Sequence, residues 1–499
     1  MKYYSTNHQT PDVDLQEAVI KGLAADKGLF MPERINILPA SFYESMPKMT
    51  LHEVSLAVAQ AFFGEDIPSD KLKQIVFDTM SFDIPLVKVG DNIYSLELFH
   101  GPTLAFKDVG ARFMARTLGY FVNGQSSLFG AASAKDACID LGESRQNRTQ
   151  SIVKIASERE QSQACLNYAE RERFGAKPNS QSSIVNSQSS IVNVLVATSG
   201  DTGSAVANGI LGVPGIHVYV LYPKGKVSLI QEKQFTTLGQ NITALEVDGT
   251  FDDCQRLVKS AFMDADLNAH MKLTSANSIN VARFLPQAFY YFWAVAQLNR
   301  QSSIFNPQRN IVCCVPSGNF GNITAGLFGK RMGLPISRFI AANNRNDIFY
   351  NYLLSGQYNP RPSVATLANA MDVGDPSNFA RVLALYDNSH EAICADISGA
   401  TYNDEQIADE IRRVYETNGY LLDPHGACGH RALREGLRPG EVGFFIETAH
   451  PAKFKDTVEA IIGEPVAIPQ RLQDFMKGTK QSIDMTRQFD DFKAYLLQQ

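Results

Sequence analysis

In "LELFHGPTLAFKDVGARF", running from Leu96 to Phe113, one lysine stands where a cation is poorly accommodated. Lys107 follows a Gly-Pro-Thr turn and Phe106, and a helical pattern of apolar residues (Val109, Phe113, Leu118, Phe121) begins directly after it. A helix N-terminus carries positive potential, so a charged ammonium gains nothing there. A neutral, nucleophilic amine, or one bonded to a cofactor, gains a great deal. Two glycine-containing loops point to an anionic ligand. "TSGDTG" (Thr198–Gly203) and "SGNFGN" (Ser317–Asn322) each precede a helical pattern. Glycines let backbone N–H groups approach an anion, and the helix start adds favourable potential. Either loop alone reads first as a tight strand-to-helix turn; it is the two together, beside the odd lysine, that favour a phosphate-bearing ligand. Neither fits G-x-x-x-x-G-K-[ST] or G-x-G-x-x-G, which argues against a P-loop ATPase and a Rossmann dinucleotide site.

"NSINVAR" (Asn277–Arg283) adds two amides, a hydroxyl and a guanidinium. Read as helix, it sets Asn277, Asn280 and Arg283 on roughly one face. A guanidinium suits phosphate or carboxylate, though a capped helix with a surface salt bridge would carry the same residues. "DPHGACGH" (Asp423–His430) resembles a ligand cluster, but a structural zinc takes four ligands from separated pairs and no second cluster stands elsewhere. It is expected to be an ordinary turn, and no metal is expected.

These residues need elements to position them. From Val87 onward short apolar runs alternate with helical patterns, the form of a parallel α/β sheet. Four units share one layout: "NIYSLEL" through "FHGPTLAFKD", "VNVLVA" through "TSGDTG", "NIVCCV" through "PSGNFGN" and "GFFIE" through "TAHPAKF", each into a helix. In open α/β sheets ligands bind beyond the carboxyl ends of the strands, so four such loops predict one shared site. Residues up to about Val87 read as a helical N-terminal segment.

Composition bounds the rest. The 499 residues allow two or three domains, and 44% hydrophobic with 20% charged residues is ordinary for a soluble globular chain. A net charge of −6 argues against a general nucleic-acid binder. The polar start "MKYYSTNHQTPDVD" does not read as a secretory signal, and "FLPQAFYYFWAVAQL" is too short to span a bilayer. Seven cysteines without a CxxC pair suit a reducing cytosol. One Ser/Gln-rich block, at about 124–191, breaks the pattern and repeats "SQSSIVN" in tandem at Ser180–Asn186 and Ser187–Asn193. It reads as a tolerated surface insertion, because loop closure entropy grows only slowly with length.

With these motifs in order, the chain resembles threonine synthase, a fold type II enzyme dependent on pyridoxal 5'-phosphate. "YYSTN", "EAVIKGLAADKGLFMPE", "ELFHGPTLAFKD", "ATSGDTGSA", "SANSIN", "VPSGNFGN" and "ETAHPAKF" carry the resemblance, which covers nearly everything outside the Ser/Gln block. "AADKGL" departs from the usual Ala-Pro-Asp-Gly-Gly-Leu, and Val281 stands where tryptophan is common. The resemblance implies two open α/β domains with the cofactor in the cleft between them. The expected boundaries are 1–87 for the N-terminal segment, 88–240 for the domain with the cofactor lysine, 241–465 for the domain with the phosphate loop, and 466–499 for a helical tail. It implies that Lys107 bonds the cofactor and acts in catalysis, that Gly318, Asn319, Phe320, Gly321 and Asn322 hold its phosphate, and that Thr448 faces its pyridine nitrogen. Ser199, Asp201 and Thr202 would meet the substrate's carboxylate and nearby polar groups, and Asn277, Ser278, Arg283 and Asn322 its phosphate. The implied reaction converts O-phospho-L-homoserine and water into L-threonine and phosphate (EC 4.2.3.1) in the cytoplasm, by a monomer or homodimer without nucleic-acid or membrane partners. The alternatives are a phospho-lyase releasing 2-oxobutyrate and a non-catalytic cofactor-binding scaffold.

Overall fold

A computed structural model describes residues 1–123, 191–301 and 310–499. These belong to one unit, Met1–Leu128 with Ser190–Gln499; the second unit, Phe129–Ser189, lies outside the described residues, as does the tandem repeat except for its last three residues, of which Val192 and Asn193 open the strand Val192–Ala197.

The apolar runs form two separate sheets. The six-stranded sheet has the order Ile397–Thr401, Arg338–Asn343, Asn310–Pro316, Glu441–Glu447, Ile93–Glu97, Leu86–Gly90. Its strands are parallel except for the last pair, an antiparallel hairpin. The five-stranded sheet, entirely parallel, runs Ile483–Met485, Ile242–Val247, Ile216–Pro223, Val192–Ala197, Lys272–Ser275. Every residue of "VNVLVA" and of "EVGFFIE" is buried, because helices cover both faces of a parallel sheet and leave no side for water.

The two-domain α/β architecture is as expected, but the sheets do not follow contiguous segments. Ile93–Glu97, which leads to Lys107, pairs with Glu441–Glu447, so the strand before the lysine belongs to the same sheet as "SGNFGN". Conversely, Ile242–Val247 and Lys272–Ser275 join the sheet of "TSGDTG", across the boundary expected at 240. The tail is more than helix, since Ile483–Met485 adds an edge strand. Hydrogen bonding between distant strands decides membership, and local pattern carries no trace of it.

The regular elements of the N-terminal segment are mainly helices, with a short antiparallel pair, Tyr3–Ser5 against Phe30–Pro32. Its helix Leu15–Lys21 is capped by the Asp14 side chain and stopped by Gly22 at φ 68°. Arg381 ties this segment to the site. Fully buried, it donates to the carbonyls of Phe30, Ser278 and Ile279 and lies 3.9 Å from the Phe284 ring centre.

Candidate active site

Lys107 opens the helix Lys107–Val122 at the carboxyl end of strand Ile93–Glu97. The helix buries Val109, Phe113, Leu118 and Phe121, the apolar set that the sequence spaced for it. Gly110 lets it seat: a Cβ there would stand 2.3 Å from the Arg283 carbonyl oxygen, so the lysine helix touches the Arg283 backbone directly. The turn ahead of it is held by Asp108, which accepts from Thr103 N–H (2.9 Å) and Thr103 Oγ1 (2.7 Å). The Phe106 N–H donates to the Thr448 carbonyl at 2.8 Å, and His450 N–H to Leu104 at 3.1 Å, so the loop after Glu441–Glu447 is stitched to the loop of Lys107.

All four predicted strand-end loops line one pocket. Phe106 and Lys107, Ser199 and Thr202, Gly318 to Asn322, and Thr448 all face it. A fifth loop, after Lys272–Ser275, contributes Asn277, Ser278 and Arg283. The stretch Asn277–Arg283 is not one helix as the spacing implied. Asn280 caps a short helix, Val281–Phe284, accepting from Ala282 N–H, and its amide donates to Val19, so it is spent on structure.

The loop at Ser317–Asn322 is a cradle. Phe320 adopts a left-handed φ of 63°, uncommon for a side chain with a Cβ, and the helix Gly321–Arg331 starts immediately after it. At Gly318 a Cβ would meet the Ala370 carbonyl at 2.7 Å and Met371 Cα at 2.9 Å, so the wall Asn369–Val373 packs hard against the loop. Asn319 and Asn322 face the pocket, yet their side chains are engaged. Asn319 Oδ1 accepts from Ser377 N–H and its Nδ2 donates to Ser278, while Asn322 Nδ2 donates to Pro316 and its Oδ1 accepts from Ile323 N–H. What the loop offers a ligand is backbone N–H groups at a helix start, a ready anion site.

"TSGDTG" is shaped by Thr198, whose Oγ1 accepts from the Gly200 and Gly203 N–H groups. Asp201 departs from expectation. It is buried outside the pocket lining, accepts from Gln231 Nε2 at 2.9 Å, and pairs with Lys453 Nζ at 2.5 Å. Its carboxylate is already committed inside the protein, and a second carboxylate would be repelled by it. Lys453 and Gln231 hold it there; sequence reading passed over both.

Charge in the site follows burial. Burial lowers the Lys107 ammonium to about 8, Asp201 works against that shift, and Arg283 and Lys453 add to it. Burial likewise lowers Arg283 to about 10, opposed by Asp108. Arg283 donates to the Lys107 carbonyl at 3.3 Å, but its buried Nε finds no partner among the described residues. A buried guanidinium with an idle donor is set for an anion. "DPHGACGH" is not a turn: it opens the helix Pro424–Gly436, capped by Asp423. His425 lines the pocket, its Nδ1 shared with Asp423 at 2.5 Å and its Nε2 accepting from Ala370 N–H, which fixes the wall facing Gly318.

The comparisons agree with this geometry. The family model described as threonine synthase N terminus matches residues 2–80, that of pyridoxal-phosphate-dependent enzymes residues 156–447, and the threonine synthase C-terminal model residues 426–496. Threonine synthase of Haemophilus influenzae is 39% identical with 100% of both chains covered, and that of Escherichia coli K12 39% with 95% of this chain and 94% of that one. Among solved structures, threonine synthase from Escherichia coli superposes with a TM-score of 0.81 at 37% identity, covering 100% of both chains. A pyridoxal-phosphate-bound threonine synthase from Brucella melitensis gives 0.80 at 31%, covering 100% of this chain and 99% of that one.

Proposed function

The chain belongs to the threonine synthase family, and on that premise we propose how its residues divide the work. It is a pyridoxal-phosphate-dependent lyase that forms L-threonine and phosphate from O-phospho-L-homoserine and water. The residues suit the cofactor: a buried lysine of lowered basicity, a cradle of N–H groups beside Gly318, and the Thr448 hydroxyl across the stitched loop. Bound there, pyridoxal phosphate supplies the electron sink for carbanion chemistry next to the substrate amine. In this assignment Lys107 Nζ bonds the cofactor and Gly318 to Asn322 receive its phosphate. Thr448 faces the pyridine nitrogen, where a hydroxyl leaves less positive charge than a carboxylate partner would.

Asn277, Ser278 and Arg283 receive the substrate's own phosphate, with Asn322 shaping the loop between the two phosphates. Ser199 and Thr202, at the start of helix Asp201–Ile210, receive the substrate carboxylate, and Asp201 supports that loop from behind. Once the substrate amine displaces it, the Lys107 amine accepts the α-proton as general base. A β-proton then leaves, the γ-carbon–oxygen bond to phosphate breaks, the γ-carbon takes up a proton, water adds its hydroxyl at the β-carbon, and a proton returns to the α-carbon, so that the two protons removed are both replaced. Holding the phosphate dianion at Arg283 while the site excludes water keeps elimination ahead of side reactions.

The observation that carries this reading is the convergence of Lys107, with its ammonium lowered to about 8, and the idle Nε of Arg283 at one pocket. Product analysis with O-phospho-L-homoserine tests it. Threonine and phosphate in equal amounts are expected; 2-oxobutyrate with ammonia, or no product, would overturn it. A cytoplasmic site of action as a monomer or homodimer completes the proposal, consistent with the free thiols of Cys254, Cys313, Cys314, Cys394 and Cys428.

A further inference from the structure

Lys453 is a second lysine at the site, and it is buried completely. It enters from the short helix Pro451–Phe454, behind the pocket, and its Nζ has two polar partners among the described residues. Its Nζ pairs with Asp201 at 2.5 Å and donates to the Thr103 carbonyl at 2.8 Å, in the turn that leads to Lys107. Asp201 is the carboxylate that acts on Lys107. The other charges acting on Lys107 are Arg283 and Lys453 itself. Asp108, next in its own helix, is tied to Thr103, and Asp372 and His425 line the same pocket from the far wall and from helix Pro424–Gly436.

A buried carboxylate takes a cation where one is in reach. Asp201 pairs with Lys453 and makes no such contact with Lys107, whose ammonium form its charge nonetheless favours; an amine drawn into a pair with that carboxylate would be protonated and not nucleophilic. We propose that Lys453 is a positioning residue for the reaction: by occupying Asp201 and the Thr103 carbonyl, it prevents Asp201 from capturing Lys107 as an ammonium ion and leaves the Lys107 amine free to bond the cofactor aldehyde. The inference rests on the assignment of Lys107 as the cofactor lysine. The stakes are large. An amine titrating at about 8 is neutral roughly 300 times more often at pH 7 than one at its ordinary value of about 10.5. Deleting the Lys453 charge removes one repulsion on the Lys107 ammonium and releases its attractive partner, so both changes raise the Lys107 pKa.

The test measures Lys107 itself. Full-length enzyme is stripped of cofactor, pyridoxal phosphate is added across pH 6–10 (about the range spanning both values), and the visible band is followed, with borohydride trapping to identify the bonded lysine. In Lys453→Met the pH midpoint of loading is expected to rise by at least about one unit, slowing loading at pH 7 about tenfold. Lys453→Arg should restore the midpoint, and Lys453→Met with Asp201→Asn should load within about threefold of the parent, since no carboxylate remains to capture the amine. An unchanged midpoint in Lys453→Met, or a double variant no faster than the single one, overturns the proposal. A purely structural role would slow loading equally at every pH. Should Lys453→Met not fold, Asp201→Asn alone must lower the midpoint, and an unmoved midpoint is equally fatal. Trapping at a lysine other than Lys107 in the parent would instead overturn the underlying assignment.

Discussion

Replacing Arg283 with glutamine separates substrate phosphate recognition from cofactor binding. The side chain is only 4% exposed, donates once to the Lys107 carbonyl, and keeps its Nε without a partner among the described residues. Glutamine can retain the bond to the carbonyl while the charge and the planar fork are lost. A charge-assisted hydrogen bond is worth about 1.5–3 kcal/mol, and each 1.4 kcal/mol is about tenfold. KM for O-phospho-L-homoserine should therefore rise roughly ten- to hundredfold. A second effect follows from the same charge. Arg283 helps to lower the Lys107 pKa, so its removal lets that pKa rise, and the acid limb of kcat moves to higher pH. Cofactor affinity, titrated at alkaline pH where the Lys107 amine is neutral in both proteins, should hardly change, because the Gly318–Asn322 cradle carries that phosphate through backbone donors. Arg283→Lys should recover the pH limb but only part of KM, since a point charge cannot reproduce the fork. Initial rates of phosphate release across substrate concentration and pH, beside a cofactor titration, read all three. Lost cofactor affinity with unchanged KM would refute the assignment.

Lys107→Ala should abolish turnover and the visible absorption of bound cofactor while far-ultraviolet circular dichroism stays native; retained colour and activity would sink the central assignment. Gly318→Ala drives a methyl against Ala370 O at 2.7 Å and Met371 Cα at 2.9 Å, an overpacking that costs about 1–3 kcal/mol, to be read as a lower urea midpoint and weaker cofactor retention. Replacing residues 124–190 with a short Gly-Ser linker should leave threonine formation within about threefold of the parent, given the slow growth of closure entropy with loop length. The flanks already meet, since Asn123 Nδ2 donates to Pro214 O and Val192 N–H to Gly215 O; a deletion variant without turnover would place the block in the core or the site.

What the sequence disclosed was local. Lys107, the glycine loops and Thr448 each sit in a strand–turn–helix run whose pattern fits within about 20 residues, the scale on which periodicity and turn chemistry are informative. Arg283 was legible as a guanidinium in a polar segment read as helix, though not the break in that helix, because Asn280 caps Val281–Phe284 by accepting from Ala282 N–H and anchors its amide on the Val19 carbonyl, a contact that no spacing reveals. Asp201 was read as facing the substrate from the resemblance of its loop. Its side chain turns inward because two residues distant in sequence receive it there, Lys453 with a buried cation and Gln231 with an amide hydrogen bond. The wall Asn369–Val373 was missed for the opposite reason: its residues carry no chemical signature, and only their approach to Gly318 gives them a role.

The interleaving of the two sheets has an energetic consequence for the site. Lys107 and Thr448 rise from adjacent strands of the six-stranded sheet, joined by the Phe106–Thr448 hydrogen bond, and "SGNFGN" follows the next strand along. Ser199, Asp201, Asn277 and Arg283 come from the other sheet. The cofactor and its substrate are thus gripped from both sheets, and three of the contacts that cross between them without ligand bury a cation: Lys453 to Asp201, Arg283 to the Lys107 carbonyl, Arg381 to Ser278. Buried cations with incomplete partners cost desolvation in the empty protein. An anion that satisfies them stabilises the folded state in proportion to its affinity. Substrate binding at Arg283 therefore draws on a charge that the fold has already buried.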